Sequence, residues 1–248
     1  MALKLPKRPE NIKIPIQMKK FLVALGISLS MCGCDVISQI PTGGNGVTEA
    51  EAGGGIKEAL SQGLVNAVLK LNKEDGFFKD AIYKVLLPPD AKKIENTLRS
   101  LGFNSMVDKA ILQINRAAED AAGTAKPIFI DAVKSMSISD AIGLIKNGDT
   151  SATHFFRVKT TEKLVAAFLP VIKASLEKVD ATKYYGEMVS KYNSLPLVKK
   201  VNPDLPGFVT DRATFAMFDM VAKEEKNIRQ NVGARSTDLL KKVFGAKW

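Results

Sequence analysis

The chain has 248 residues, 46% of them hydrophobic and 25% charged, a balance that excludes a disordered polymer and suffices for a sizeable core. Its formal net charge of +10 is concentrated at the front, where residues 1–33 hold six Lys or Arg against one Glu and leave about +5 on the remainder. That residual charge suits a nearby anionic membrane surface and is too small and too mixed to indicate nucleic acid as a partner.

Met18-Lys19-Lys20 precedes an apolar run from Phe21 to Met31, and Met31-Cys32-Gly33-Cys34 follows. A basic start and an apolar run this short read as a signal peptide, since a membrane span needs roughly 20 residues. A small residue directly before a Cys resembles the lipobox of bacterial lipoproteins, and Gly33 points to Cys34 as the lipidated residue; Cys32, behind Met31, fits poorly. Residues 1–33 are therefore expected to be removed. Met18 is a second candidate start, which would leave residues 1–17 untranslated. Loss of Cys32 and lipidation of Cys34 leave no thiol for a disulfide. Acyl chains on Cys34 would anchor the protein at about 0.8 kcal/mol per buried CH₂. Asp35 resembles an inner-membrane retention signal of enteric lipoproteins; inner and outer membrane both remain open.

Residues 34–55 contain Pro41, Gly43, Gly44, Gly46 and Gly53-Gly54-Gly55, which predicts a flexible tether with a reach of roughly 25 Å. An all-α domain is expected over residues 56–248. Ile56, Ala59, Leu60, Leu64, Ala67, Val68 and Leu71 form a helical stripe. A short segment over 78–86 ends at Pro88-Pro89, and a helix over 90–101 ends at Gly102. Val107, Ala110, Ile111, Ile114, Ala117, Ala118, Ala121 and Ala122 form a second stripe, whose alanines predict close helix–helix approach. Pro127 suits the first turn of a helix through Met136, and Ser137-Ile138-Ser139-Asp140 reads as a capping box. Asp149 and Thr160 are expected N-caps for helices over 150–157 and 161–178, the latter kinked but unbroken at Pro170. Its stripe runs from Leu164 to Val179. A helix over 181–193 precedes an extended loop over 194–207 with Pro196, Pro203 and Pro206. Thr210 is expected to cap a long helix through Gln230, and a short helix covers 236–244. About nine or ten helices result, with no strand pattern and no fixed-period repeat.

Chemistry-bearing motifs are sparse. The single His154 stands beside Phe155 and Phe156, which predicts half-buried packing. One His and no free Cys exclude His/Cys zinc sites, and neither H-E-x-x-H nor G-x-S-x-G is present. The glycines at 53–55 are not followed by Lys-Ser or Lys-Thr, so they form no phosphate loop. Asn147-Gly148-Asp149-Thr150 lacks the later Glu of a calcium loop and reads as a turn with an N-cap. No metal or cofactor is expected.

Two helices carry polar residues worth following. In Asn115-Arg116-Ala117-Ala118-Glu119, Asn115 borders the apolar stripe while Arg116 points away from it. Met217, Val221, Glu224 and Ile228 share a helical line, so Glu224 faces the core and needs a partner, with Arg212, Arg229 and Arg235 as candidates. Asn115, Arg116, Glu119, His154, Glu224, Glu225, Arg229 and Arg235 thus form the candidate polar set. A carboxylate enzyme would gather several of them in one open cleft. A binding module would pair them off beside an apolar groove. The charges over 223–242 alternate in sign, which suits a solvated face.

Several strings carry a wider resemblance. They are Gly55-Ile56-Lys57-Glu58-Ala59-Leu60, Asn115 to Glu119 with Ala125-Lys126-Pro127-Ile128-Phe129, Ser139-Asp140-Ala141 and Phe155-Phe156 before Thr160. Val209-Thr210, Glu224-Glu225-Lys226-Asn227-Ile228-Arg229 and Ala234-Arg235-Ser236-Thr237-Asp238-Leu239-Leu240-Lys241-Lys242-Val243-Phe244 complete the set. Together, from about Gly54 to Gly245, they resemble the bacterial family known as domain of unknown function 4197. That resemblance implies an envelope protein, often a lipoprotein, and supplies no catalytic residues. The extension before Met18 departs from the family pattern and bears on where the chain starts. The expectation is a periplasm-facing helical module anchored through its lipid, binding an envelope protein or an apolar small molecule. A carboxylate-based envelope hydrolase and a purely structural lipoprotein are the alternatives.

Overall fold

A computed structural model describes residues 47–148, 150–178, 180–201 and 204–246. The leader, Cys34, the glycines of the expected tether before Val47, and Asp149, Val179 and Pro203 lie outside the described residues. Among those described, the chain is all-α, with nine α-helices and no strand: α1 Glu49–Asn72, α2 Lys92–Ser100, α3 Asn104–Ala122, α4 Ala125–Ser135, α5 Ile138–Lys146, α6 Ser151–Lys178, α7 Ala181–Asn193, α8 Leu205–Gln230 and α9 Asp238–Gly245.

The first helix begins earlier than expected. Thr48 and Glu51 form a reciprocal capping box, so α1 opens seven positions before Ile56 and takes Gly53-Gly54-Gly55 into its first turns. Gly53 and Gly55 are packing residues rather than linker. A Cβ on Gly55 would lie 2.6 Å from Cγ2 of Val243 in α9, and one on Gly53 would lie 2.9 Å from Cγ2 of Ile138 in α5. The absent side chains let two helix ends press directly onto the α1 backbone.

The expected segment over 78–86 is not helical. It runs as turns and extended chain, opened by Asp80, whose carboxylate accepts the amides of Ile82 and Tyr83. The expected break at Thr160 does not occur either. Helix α6 runs unbroken for 28 residues, through Pro170, and the Thr160 hydroxyl donates back to the Phe156 carbonyl at 2.6 Å. Helix α8 starts at Leu205 under an Asp204 cap, five residues before Thr210, whose hydroxyl likewise bonds the carbonyl four residues earlier. The Ser137–Asp140 capping box of α5 and the left-handed Gly102 after α2 stand as expected.

Helix α6 packs on α8, α3 and α4, while α1 packs on α8, α5, α4, α9 and α3. The alanines of α3 are fully buried, which gives the close approach their pattern predicts. At the centre the Phe129 ring meets Phe156 and Phe218 edge to face, each at 6.2 Å between centroids.

Candidate functional site

The candidate polar residues fall into separate clusters, and most are consumed in holding helices to loops. Asn115 is fully buried on α3 and treats Val85 as a strand neighbour would. Its Oδ1 accepts the Val85 amide at 2.8 Å and its Nδ2 donates to the Val85 carbonyl at 2.9 Å. One side chain thereby satisfies both backbone groups of an extended segment that has no sheet to join.

Glu119, one helical turn on, serves the corner after α1. Its Oε1 accepts the amides of Phe77 and Phe78 at 3.1 Å each, and its Oε2 accepts from Arg116 at 2.6 Å. Arg116 also reaches Asp75, which stands at a left-handed φ of 65° in that corner. The Asp75 carboxyl is held below its ordinary value by hydrogen bonds from Lys79 and Arg116.

Glu225 and Arg229 form the second cluster. Glu225 Oε1 and Oε2 accept the backbone amides of Ala152 and Thr153 at 3.1 and 2.8 Å, and Oε2 also takes the Thr153 hydroxyl. Those amides belong to the first turn of α6, where a local N-cap side chain normally serves. Thr150, the residue in that place, sits at a left-handed φ of 70°, outside the extended geometry of an N-cap. Arg229 binds Glu225 and extends to the carbonyls of Leu144 and Ile145, closing the end of α5. Arg235 does the same for α8, donating to the Ile228 and Arg229 carbonyls.

The partner of Glu224 is none of the expected arginines. It is Lys70, reaching across from α1. Arg212 instead lies over the Phe215 ring at 5.0 Å. His154 also departs from expectation: it is exposed, on the rim of an open hollow with Asn147, Thr150, Phe155, Val158 and Lys159. It joins none of the carboxylate clusters.

One polar cluster escaped the sequence reading. The Tyr83 hydroxyl donates to Asp219 at 2.7 Å and accepts from Lys223 at 2.6 Å. Burial pushes the phenol up to about 12; the Lys223 bond opposes this and the Asp219 carboxylate adds to it. Burial would raise the Asp219 carboxyl too, but the Tyr83 and Lys223 bonds outweigh it and hold it below its ordinary value. The i, i+4 spacing of Asp219 and Lys223 was the available signal; Tyr83 as their bridge was not.

One concavity is apolar. A slot of about 30 Å³ lies between α1, α5, α8 and α9, lined by Ile56, Leu60, Leu64, Leu144, Ile228 and Phe244 among others, with Glu225 and Arg229 tied together at its edge. Its volume as it stands is that of a water or two. Small residues of α1, Ala59 and Gly63, make the room. Among the described residues no group of three or more His, Cys, Asp or Glu could hold a metal ion. None of their helices is long and apolar enough to cross a membrane.

No curated protein and no solved structure matches the chain. A family model described as "Protein of unknown function (DUF4197)" matches residues 46–245, opening just before the α1 cap and closing at the end of α9. The chain therefore belongs to that family.

Proposed function

We propose that the chain is a lipid-anchored, periplasm-facing helical module of the cell envelope that binds an apolar guest and carries out no chemistry of its own. The observation that carries the reading is the fate of the carboxylates. Glu119, Glu224 and Glu225 lie in three different clusters, each buried and each occupied by amides or a cation. A carboxylate hydrolase needs two such groups facing one substrate with free lone pairs. The slot beside them offers apolar walls, and the side chains that narrow it, Leu60 and Phe244, are half-exposed. A guest enters by displacing Phe244 and the short helix that bears it. The Lys-Lys, apolar run and Gly33-Cys34 sequence supports the anchor.

The test is mass spectrometry of the full chain purified in mild detergent from its own host. The expected N-terminal peptide begins at Cys34 and carries acyl mass; an unmodified peptide retires the anchor. The expected native mass exceeds that of the acylated polypeptide by one apolar molecule. A bare chain retires the binding reading and favours a structural envelope component.

A further inference from the structure

Loop 194–201, between α7 and α8, carries a feature that none of this uses. Its base is closed by one side chain: Asn193 Nδ2 donates to the Val201 carbonyl at 3.0 Å, and its Oδ1 accepts the Val201 amide at 3.1 Å. Leu195, Val198 and Val201 turn inward and pack against the core. Leu197 does the reverse. It is fully exposed, follows Pro196, and is held at a left-handed φ of 63°, which a leucine rarely adopts. A loop that docks its other apolar residues and displays one on a rigid tip has already met the ordering cost of presenting it.

The surroundings say what such a tip meets. From Met188 to Val201 the chain holds three lysines, Lys191, Lys199 and Lys200, and no acid; Glu187 and Asp204 bound the stretch. All three lysines are exposed. Lys191 stands over the Phe103 ring, 6.0 Å from its centroid, which brings the turn between α2 and α3 alongside. That turn exposes Leu101 and Phe103 as well. A groove of about 620 Å³ runs between α7 and the loop, with Ser190, Ser194 and Lys200 on its walls. Protruding apolar side chains ringed by lysines, with hydroxyls beside them, match the chemistry of an anionic bilayer surface: acyl chains below, phosphates above.

We propose that loop 194–201, with Leu197 at its tip and the Leu101–Phe103 turn beside it, is a membrane-contact surface that inserts Leu197 between anionic lipid headgroups. One leucine and three lysines bind weakly alone, and a tether to the same membrane makes a weak contact effective by raising its local concentration. The proposal gains from the anchored reading above, but its test does without the Cys34 lipid.

The experiment uses the full chain with both native cysteines replaced by serine, so that the introduced thiol is the one labelled. An environment-sensitive fluorophore is placed through Leu197→Cys, and in a second protein through Val158→Cys on α6. Vesicles contain phosphatidylcholine with or without one-third phosphatidylglycerol. The expected result is a blue-shifted probe at 197, quenched by nitroxide lipids, on phosphatidylglycerol vesicles only, while the probe at 158 stays aqueous. Replacing Lys199 and Lys200 by Ala lowers the inserted-to-free ratio by roughly fivefold per lysine. A probe at 197 that stays aqueous on anionic vesicles overturns the proposal, as does equal insertion at 158. So does a shift that appears only with a lipid-free envelope protein extract, which would make the loop a protein-docking site.

Discussion

Glu225 and Thr153 meet twice. The carboxylate of one accepts both the amide and the hydroxyl of the other, at 2.8 and 2.7 Å, across 72 residues of sequence. Helix α6 is thus capped by helix α8. The same carboxylate binds Arg229, so the junction of α5, α6 and α8 hangs on one side chain. Glu225→Ala removes the cap and leaves Arg229 without its counter-charge. Loss of one member of a buried pair costs about 3–5 kcal/mol, readable as a lower urea midpoint. Glu225→Gln, whose single carbonyl oxygen can still accept one of the two amides, should fall between. A loss below about 1 kcal/mol for the alanine variant would contradict the cap.

Asn115 makes a comparable prediction for the segment around Val85. Asn115→Ala leaves the buried Val85 amide and carbonyl unpaired, a loss of about 2–4 kcal/mol. Asn115→Asp restores the acceptor but sets a carboxylate oxygen against the Val85 carbonyl. It should recover nothing. Recovery to wild-type stability would mean that Val85 finds its partners elsewhere.

The glycines of α1 separate close approach from helix propensity. Gly54 faces open space, with only Leu239 Cδ2 at 4.0 Å, so Gly54→Ala should stabilise by about 0.5–1 kcal/mol. Gly55→Ala collides with the stiff Val243 side chain and should destabilise by about 1–3 kcal/mol. Combining it with Val243→Ala should return part of the loss. Thermal midpoints of the three variants decide the matter, and equal effects at 54 and 55 would refute the packing argument.

Acid should loosen the contact between the two ends of the domain. The hydrogen bond from Lys242, aided by those from Thr48, holds the Glu51 carboxyl down at about 2 from an ordinary 4.5. A lowered carboxyl stabilises the folded state fully above the ordinary value and loses that contribution as pH falls toward the folded one. The α1–α9 link therefore weakens between pH 4.5 and 2. Urea midpoints of wild type and Glu51→Gln should differ at pH 6 and draw together as pH falls to about 2. Parallel curves would show that the pair contributes nothing.

Alkali tests the Tyr83 bridge. The Tyr83 phenol should resist ionisation until about pH 12 in an ultraviolet titration. A phenol raised in the folded state stabilises it below the ordinary value near 10 and loses that contribution as pH rises toward 12. Tyr83→Phe should abolish the late-titrating component and leave the Asp219–Lys223 ion pair in place.

Periodicity made the helices legible because α3, α7 and α9 each bury one stripe against a neighbour. It failed where the decisive contact was remote. Gly53-Gly54-Gly55 has the composition of a linker, yet it continues a helix opened by the Thr48–Glu51 capping box, and Ile138 and Val243 pack where side chains would stand. Thr160 and Thr210 look like caps from their own neighbourhoods, yet each is a helical residue bonded to the carbonyl four positions back. For the polar residues, the pattern marked Glu224 as core-facing and in need of a cation, but Lys70 lies 154 positions away. Local spacing could offer only Arg212, Arg229 and Arg235; the first lies over the Phe215 ring and the other two are engaged with backbone carbonyls.

The link between the two ends of the domain also sets an order of events during synthesis. Lys242 answers Glu51, Gln62 reaches the Ala234 carbonyl and Ser236, and Val243 rests on Gly55, so α1 finds its last neighbours in the final helix of the chain. Closing loops this long is slow, and the rewarding contacts come only after closure. A polypeptide made from its N-terminus meets those contacts last. Until α9 arrives, Leu60 and Ile228 lack the cover of Phe244, and the nascent domain presents the walls of its slot to whatever surrounds it.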